Sequence, residues 1–246
     1  MRPEVEIAAP PFPPHLPWVN VATLRMDQQI GRPVLVEFWD FCRPNSMRTL
    51  PYLRAWHERY ASDGLRVIGV HASGFAPSGD PDAVRAAVAR LRIPYPVVID
   101  VSGEIWEWYG NKGWPARYLW DRRGILQEVH YGEGAYAETE RALQALVGSE
   151  RDVLEPARPE DAPGAVLAPQ SADRPGPWSG PYEAGGVWAV LEGTGTVRAN
   201  GAEVPVDHPG AYPLIEHSRH TAGVLDLEVG DGVTCHAVCF TPGADE

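Results

Sequence analysis

The sequence predicts an α/β layer domain followed by a small all-β domain. Two observations carry this. Strand-type apolar runs alternate with segments of helical spacing as far as residue 147. Beyond a Pro-rich stretch at 151–181 the helical pattern vanishes, leaving short apolar runs between Gly, Asn and Asp turns.

The elements follow in order. Residues 1–20 are Pro-rich and read as an extended lead. Residues 33–39 (PVLVEFW) form a first strand. Residues 46–60 have helical spacing, with Met47, Leu50, Leu53, Trp56 and Tyr60 on one side. Residues 65–71 (LRVIGVH) are a second strand. A helix over 80–91 starts with a capping Asp80 and with Pro81 in its first turn, where a missing N–H costs nothing. Strands follow at 95–100, 117–121 and 125–131, the last two joined by a turn at 122–124, and a closing helix spans 136–147. In the second half, strands are expected at 187–192, 194–199, 211–215, 223–229 and 233–240. Asn200-Gly201 marks a type I′ hairpin turn, because both central residues of that turn need positive φ. The expected organisation is a lead (1–20), an α/β domain (21–150), a Pro-rich linker (151–180) and a β-rich domain (181–246).

Composition narrows the function. Lys and Arg number 21 and Asp and Glu 33, a formal charge of −12. Nucleic acid and anionic membranes both need a basic face and are disfavoured as partners. The N-terminal stretch has no apolar h-region and no spanning segment is seen, so the expected location is cytoplasmic. Three cysteines, Cys42, Cys235 and Cys239, are too few for a disulfide framework, in keeping with a reducing compartment.

The segment Glu37-Phe38-Trp39-Asp40-Phe41-Cys42-Arg43-Pro44-Asn45-Ser46-Met47-Arg48-Thr49-Leu50-Pro51 bears the chemistry. It resembles the thioredoxin superfamily in its redoxin branch, and most of all the thioredoxin-like domain of DipZ-type disulfide-transfer proteins. The likeness lies in Phe38-Trp39, in residues 48–56, in Val67-Ile68-Gly69-Val70-His71, in Gly110-Asn111 with Trp114-Pro115-Ala116, and in Gly132-Glu133-Gly134 with Glu138-Thr139-Glu140, across roughly residues 11–150. The resemblance implies a thioredoxin fold. With Phe38-Trp39 and Pro51 as anchors, the family's C-x-x-C falls on Arg43, Pro44, Asn45 and Ser46. Both cysteines are replaced.

Dithiol exchange needs a thiolate to attack and a second thiol to resolve the mixed disulfide. Arg43 cannot attack and Ser46 cannot resolve, so ordinary dithiol chemistry is not expected. Cys42 sits one position before the nucleophile slot, near a helix start and beside Arg43, two features that lower a thiol pKa. It is either a monothiol nucleophile of peroxidase or glutathione type, or a small packing residue. A peroxiredoxin reading is weaker, because the Thr of its T-x-x-C motif is here Trp39. By the resemblance, Glu37 matches the buried acid that serves the second cysteine, left without that task opposite Ser46. Pro115, after Trp114, matches the cis-proline that leaves backbone free for an extended peptide partner.

The C-terminal region resembles a carbohydrate-binding-module-type β-sandwich through Gly193-Thr194-Gly195-Thr196-Val197, Asn200-Gly201 and Phe240-Thr241-Pro242-Gly243. Trp178, Tyr182 and Trp188 are either ligand-stacking rings or core. The hairpin has a cupin flavour, but no H-x-H precedes it, and His217 and His220 alone do not make a metal site; no metal and no cofactor are expected. Strand alternation puts Cys235 and Cys239 on one face about 13 Å apart, too far for a disulfide. Three functions are open: a degenerate thioredoxin-like binder of polypeptide or ligand, a monothiol oxidoreductase using Cys42, and a scaffold whose β domain selects the partner.

Overall fold

The computed structural model describes residues 6–245. The first five residues of the expected lead and residue 246 of the β-rich segment lie outside the described residues. The chain divides into two compact units. One comprises Met1–Asp40, Arg48–Ser73 and Gly79–Leu154, the other Phe41–Met47, Gly74–Ser78 and Glu155–Glu246.

In the first unit the strands are β1 (Trp18–Val19), β2 (Val34–Trp39), β3 (Arg66–His71), β4 (Val97–Ile99), β5 (Ala116–Trp120) and β6 (Leu126–Tyr131). The helices are α1 (Pro44–Tyr60, whose first turn lies in the second unit), α2 (Pro81–Arg90), α3 (Glu104–Trp108) and α4 (Tyr136–Val147). The strands form one sheet in the order β1-β4-β3-β2-β5-β6. β2, β3 and β4 run parallel, while β5 and β6 are antiparallel. This is a thioredoxin fold.

Local chemistry explains the boundaries. The Asp80 carboxylate accepts the Asp82 N–H at 2.9 Å and Pro81 opens α2, so one orphan donor is capped and another is absent. α4 stops where Gly148 takes φ 77°, a left-handed residue that needs glycine. In the β5–β6 turn the Asp121 carboxylate accepts the N–H groups of Arg123 and Ile125.

The parallel strands are buried on both faces, which is why they read as unbroken apolar runs. Val34, Val36 and Phe38 share one core with Ile68, Val70, Val98, Tyr118 and Trp120. The lead is part of that core: Phe12, Leu16 and Trp18 are buried in it. Prolines conceal this in the sequence because they erase periodicity. Glu37 and Arg117 are register partners across β2 and β5 and point to the other face, where Arg117 lies over the Trp56 and Tyr136 rings.

The second unit holds β7 (Arg174–Pro175), β8 (Gly180–Gly193), β9 (Gly195–Ala199), β10 (Ala202–Val206), β11 (Gly210–Leu225), β12 (Leu227–Val229) and β13 (Val233–Thr241). They make two sheets, β10-β9-β12 and β11-β8-β13-β7, around one core that includes Val187, Leu191, Val197, Val206 and Phe240. Asn200 and Gly201 have φ 50° and 83° and close a two-residue hairpin between β9 and β10.

Three expectations are revised here. The segment expected as a linker over 151–180 is divided at Leu154, and its later part is built into the second unit. There the Ser171 N–H donates to Glu183 O at 2.8 Å, Gln170 donates to Phe240 O at 2.7 Å, and β7 pairs with β13. Strand β11 spans 216–222, a polar stretch between two expected strands, with an irregularity between Glu216 and Thr221 where the register with β8 shifts; it is an edge strand with mostly exposed side chains, so no apolar alternation marks it. A bulge between Cys235 and Ala237 reverses the alternation of β13. Cys235 therefore faces the core with Leu191, whereas Cys239 lies opposite Trp188 on the other face, so the two thiols do not share a side. Among the described residues, no helix is long and apolar enough to cross a membrane.

Candidate functional site

In the first unit, β2, β3 and β4 each end at a titratable residue: Asp40 follows β2, His71 closes β3 and Asp100 follows β4. All three are buried. His71 Nε2 stands 3.7 Å from Asp40 Oδ1. The Asp100 N–H donates to the His71 carbonyl at 2.7 Å, and the Asp100 carboxylate accepts the Trp106 N–H at 2.9 Å at the start of α3. Burial raises the Asp100 carboxyl pKa. The Trp39 ring meets His71 edge-on at 5.1 Å. Trp114 donates from Nε1 to Ala72 O at 2.8 Å and packs on Trp106 at 4.3 Å. The Trp114–Pro115 bond is cis. Open-sheet α/β folds place function at this carboxyl edge of the strands. Trp39, Trp114 and Pro115 are expected here from the sequence; Asp40, His71 and Asp100 are not assigned a role by it, and their signal is a polar titratable residue ending three apolar runs in turn.

Arg43, Pro44, Asn45 and Ser46, on which the resemblance placed the C-x-x-C, lie in Phe41–Met47, within the second unit. There the Ala211 N–H of β11 donates to the Phe41 carbonyl at 3.0 Å. The Arg43 guanidinium lies over the Phe75 ring, 4.6 Å from its centroid. Pro44 opens α1, and the Met47 N–H bonds to Arg43 O at 3.1 Å. Cys42 is 0% exposed and in no disulfide; Pro44 and Ser46 are buried, and Arg43 and Asn45 are half-buried. Cys235 and Cys239 are buried too, and burial pushes the Cys235 thiol up to about 11 and raises that of Cys239, with Asp173 adding to the rise.

Glu37 is 2% exposed, and among the described residues its Oε2 meets no hydrogen-bond donor. Desolvation lifts its pKa to about 8, with Arg117 pulling the other way. Arg117 donates from Nη2 to Gly134 O, while its Nε and Nη1 have no acceptor. A buried ion pair joins Arg48 on α1 to Glu133 at 2.7 Å, next to the contact of His130 Nε2 with Glu133 O.

The rings considered for ligand stacking separate. Tyr182 and Trp188 are buried, and Trp178 is half-buried with its ring edge against Phe240 at 5.8 Å. Among the described residues, no group of three or more His, Cys, Asp or Glu is placed to hold a metal ion.

Residues 8–129 match the AhpC/TSA family. The chain is 33% identical over 145 residues to the protein DipZ of Mycobacterium tuberculosis, an alignment covering 59% of this chain and 21% of DipZ. It spans about a fifth of that relative's length. It is 24% identical to the thiol-disulfide oxidoreductase YkuV of Bacillus subtilis, over 53% of this chain and 87% of YkuV. The crystal structure of a thiol:disulfide interchange protein DsbE of Chlorobium tepidum superposes with a TM-score of 0.53 at 22% identity, covering 59% of this chain and 99% of that one. Sheet order and structural likeness agree that this part of the chain has a thioredoxin fold, and residues 8–129 are similar in sequence to the AhpC/TSA family, to DipZ and to a thiol-disulfide oxidoreductase.

Proposed function

We propose that this protein is a redoxin whose site does not exchange dithiols and which acts by binding a polypeptide partner alongside Trp114–Pro115. One observation carries the reading. Arg43 and Ser46 stand where the resemblance places the two cysteines of the C-x-x-C, and the neighbouring Cys42 is fully buried. A guanidinium has no lone pair to attack sulfur, and a serine hydroxyl is not ionised near neutral pH. A buried thiol meets neither peroxide nor a disulfide, which argues against the monothiol reading. Binding fits what remains: Trp106 and Trp114 are half-buried and pack on each other at 4.3 Å, and Trp114 leads into Pro115.

Alkylation tests the lack of thiol chemistry. With a maleimide at neutral pH, the folded protein is expected to label at the rate of global or local opening, and Cys42→Ser is expected to remove no fast phase. A fast phase present in wild type and absent in Cys42→Ser would return the monothiol oxidoreductase to the lead. The binding half is tested with an array of extended peptides: binders are expected to weaken at least tenfold with Trp114→Ala, and an array on which both proteins bind alike would refute it.

A further inference from the structure

The first unit contains a cavity of about 550 Å³ away from the strand ends just described. Phe12 and Ala9 of the lead form one wall, Met26 and Ile30 a second, and the β5–β6 turn at Gly124 closes it. Its walls are held by backbone bonds. The Ala9 N–H donates to Gly124 O at 2.9 Å, the Leu126 N–H to Ile7 O at 2.9 Å, and the Gly31 N–H to Arg122 O at 2.7 Å. Ile30 lies across Gly124, where an added Cβ would stand 3.2 Å from its Cδ1. Yet Ile30 is 60% exposed, so a large apolar side chain is left in water at the edge of a concave apolar surface. The volume falls within the roughly 300–1,000 Å³ usual for small-molecule sites.

The charges around the cavity select the ligand class. Two guanidinium groups reach it, and each already has a carboxylate. Arg25 grips Asp27 through Nε at 3.0 Å and Nη2 at 2.5 Å. Arg123 holds Glu6 at 2.9 Å and Asp121 at 3.3 Å. The two guanidiniums are matched by the carboxylates of Asp27, Glu6 and Asp121, so an ion of either sign entering here would have to displace a partner already in place. What the walls offer without rearrangement is apolar contact.

We propose that this cavity is a binding site for a small uncharged apolar molecule of aromatic or alicyclic type. This does not depend on the reading of the replaced motif, since none of its residues belongs to that segment.

The probe is N-phenyl-1-naphthylamine, an uncharged fluorophore that brightens in apolar surroundings, titrated into the full chain. One saturable site per chain is expected. Ile30→Asp puts a charge at the cavity rim and is expected to weaken binding at least tenfold, and Ile30→Gln to weaken it less. Because Ile30 is exposed, both variants are expected to keep the wild-type circular dichroism and unfolding midpoint. The related anion 1-anilinonaphthalene-8-sulfonate is expected to bind more weakly than the neutral probe. Absence of saturable binding, or binding untouched in both variants, would overturn the site. Tighter binding of the sulfonate would overturn the ligand class.

Discussion

Glu37 offers a perturbation whose size can be worked from the structure. The carboxyl is buried, and desolvation moves its pKa from 4.5 to about 8. Because the folded value lies above the unfolded one, the native state holds the proton more tightly. The contribution of Glu37 to stability is thus fully present below pH 4.5. It is lost as pH rises through about 8, at about 1.4 kcal/mol per pH unit in the interval between. The 3.5 units between the two values correspond to about 5 kcal/mol. Glu37→Gln places an uncharged side chain of the same shape in the site. Urea unfolding of both proteins at pH 5, 7 and 9 measures the difference. The two are expected to be close in stability at pH 5, with the variant gaining on wild type by several kcal/mol at pH 9. Parallel pH profiles would refute the reasoning. So would a wild type more stable than the variant at pH 9, since ionised Glu37 would then be repaid by Arg117 across the β2–β5 pair.

Two further predictions concern the frame around the site. Arg48→Ala leaves the buried Glu133 carboxylate without its ion-pair partner and is expected to cost about 3–5 kcal/mol, read by urea unfolding. Gly201→Ala meets no neighbouring atom, so its expected cost of about 1–2 kcal/mol comes from the positive φ alone and is read the same way.

Much of the fold was legible because local and tertiary preferences agree. The runs at 33–39 and 65–71 are strands buried on both faces, and Leu53, Trp56 and Tyr60 recur at helical spacing because one side of α1 is core. Asn200-Gly201 was readable because its turn admits few residue types. The missed parts depend on partners distant in sequence. The 216–222 stretch has a loop-like composition, but Glu216, Thr221 and Ala222 at its two ends pair with β8 and carry it as an irregular edge strand. The lead looks extended and solvated until Phe12 and Trp18 are seen in the core. At the site, register with Phe38-Trp39 and Pro51 placed the C-x-x-C on Arg43 to Ser46, and the structure puts these residues at the start of α1. The burial of Cys42 could not, because exposure depends on what folds around it. Nor could the bulge at His236, which a strict period of two conceals.

Turnover of an external disulfide tests the central claim most directly. Reduction of insulin disulfides by dithiothreitol would be followed by turbidity with no protein, with wild type, and with Cys42→Ser. On the proposal that Arg43 and Ser46 occupy the slots of the two cysteines, wild type is expected to match the uncatalysed rate. A wild-type acceleration that disappears in Cys42→Ser would contradict the account and make this chain a working thiol oxidoreductase.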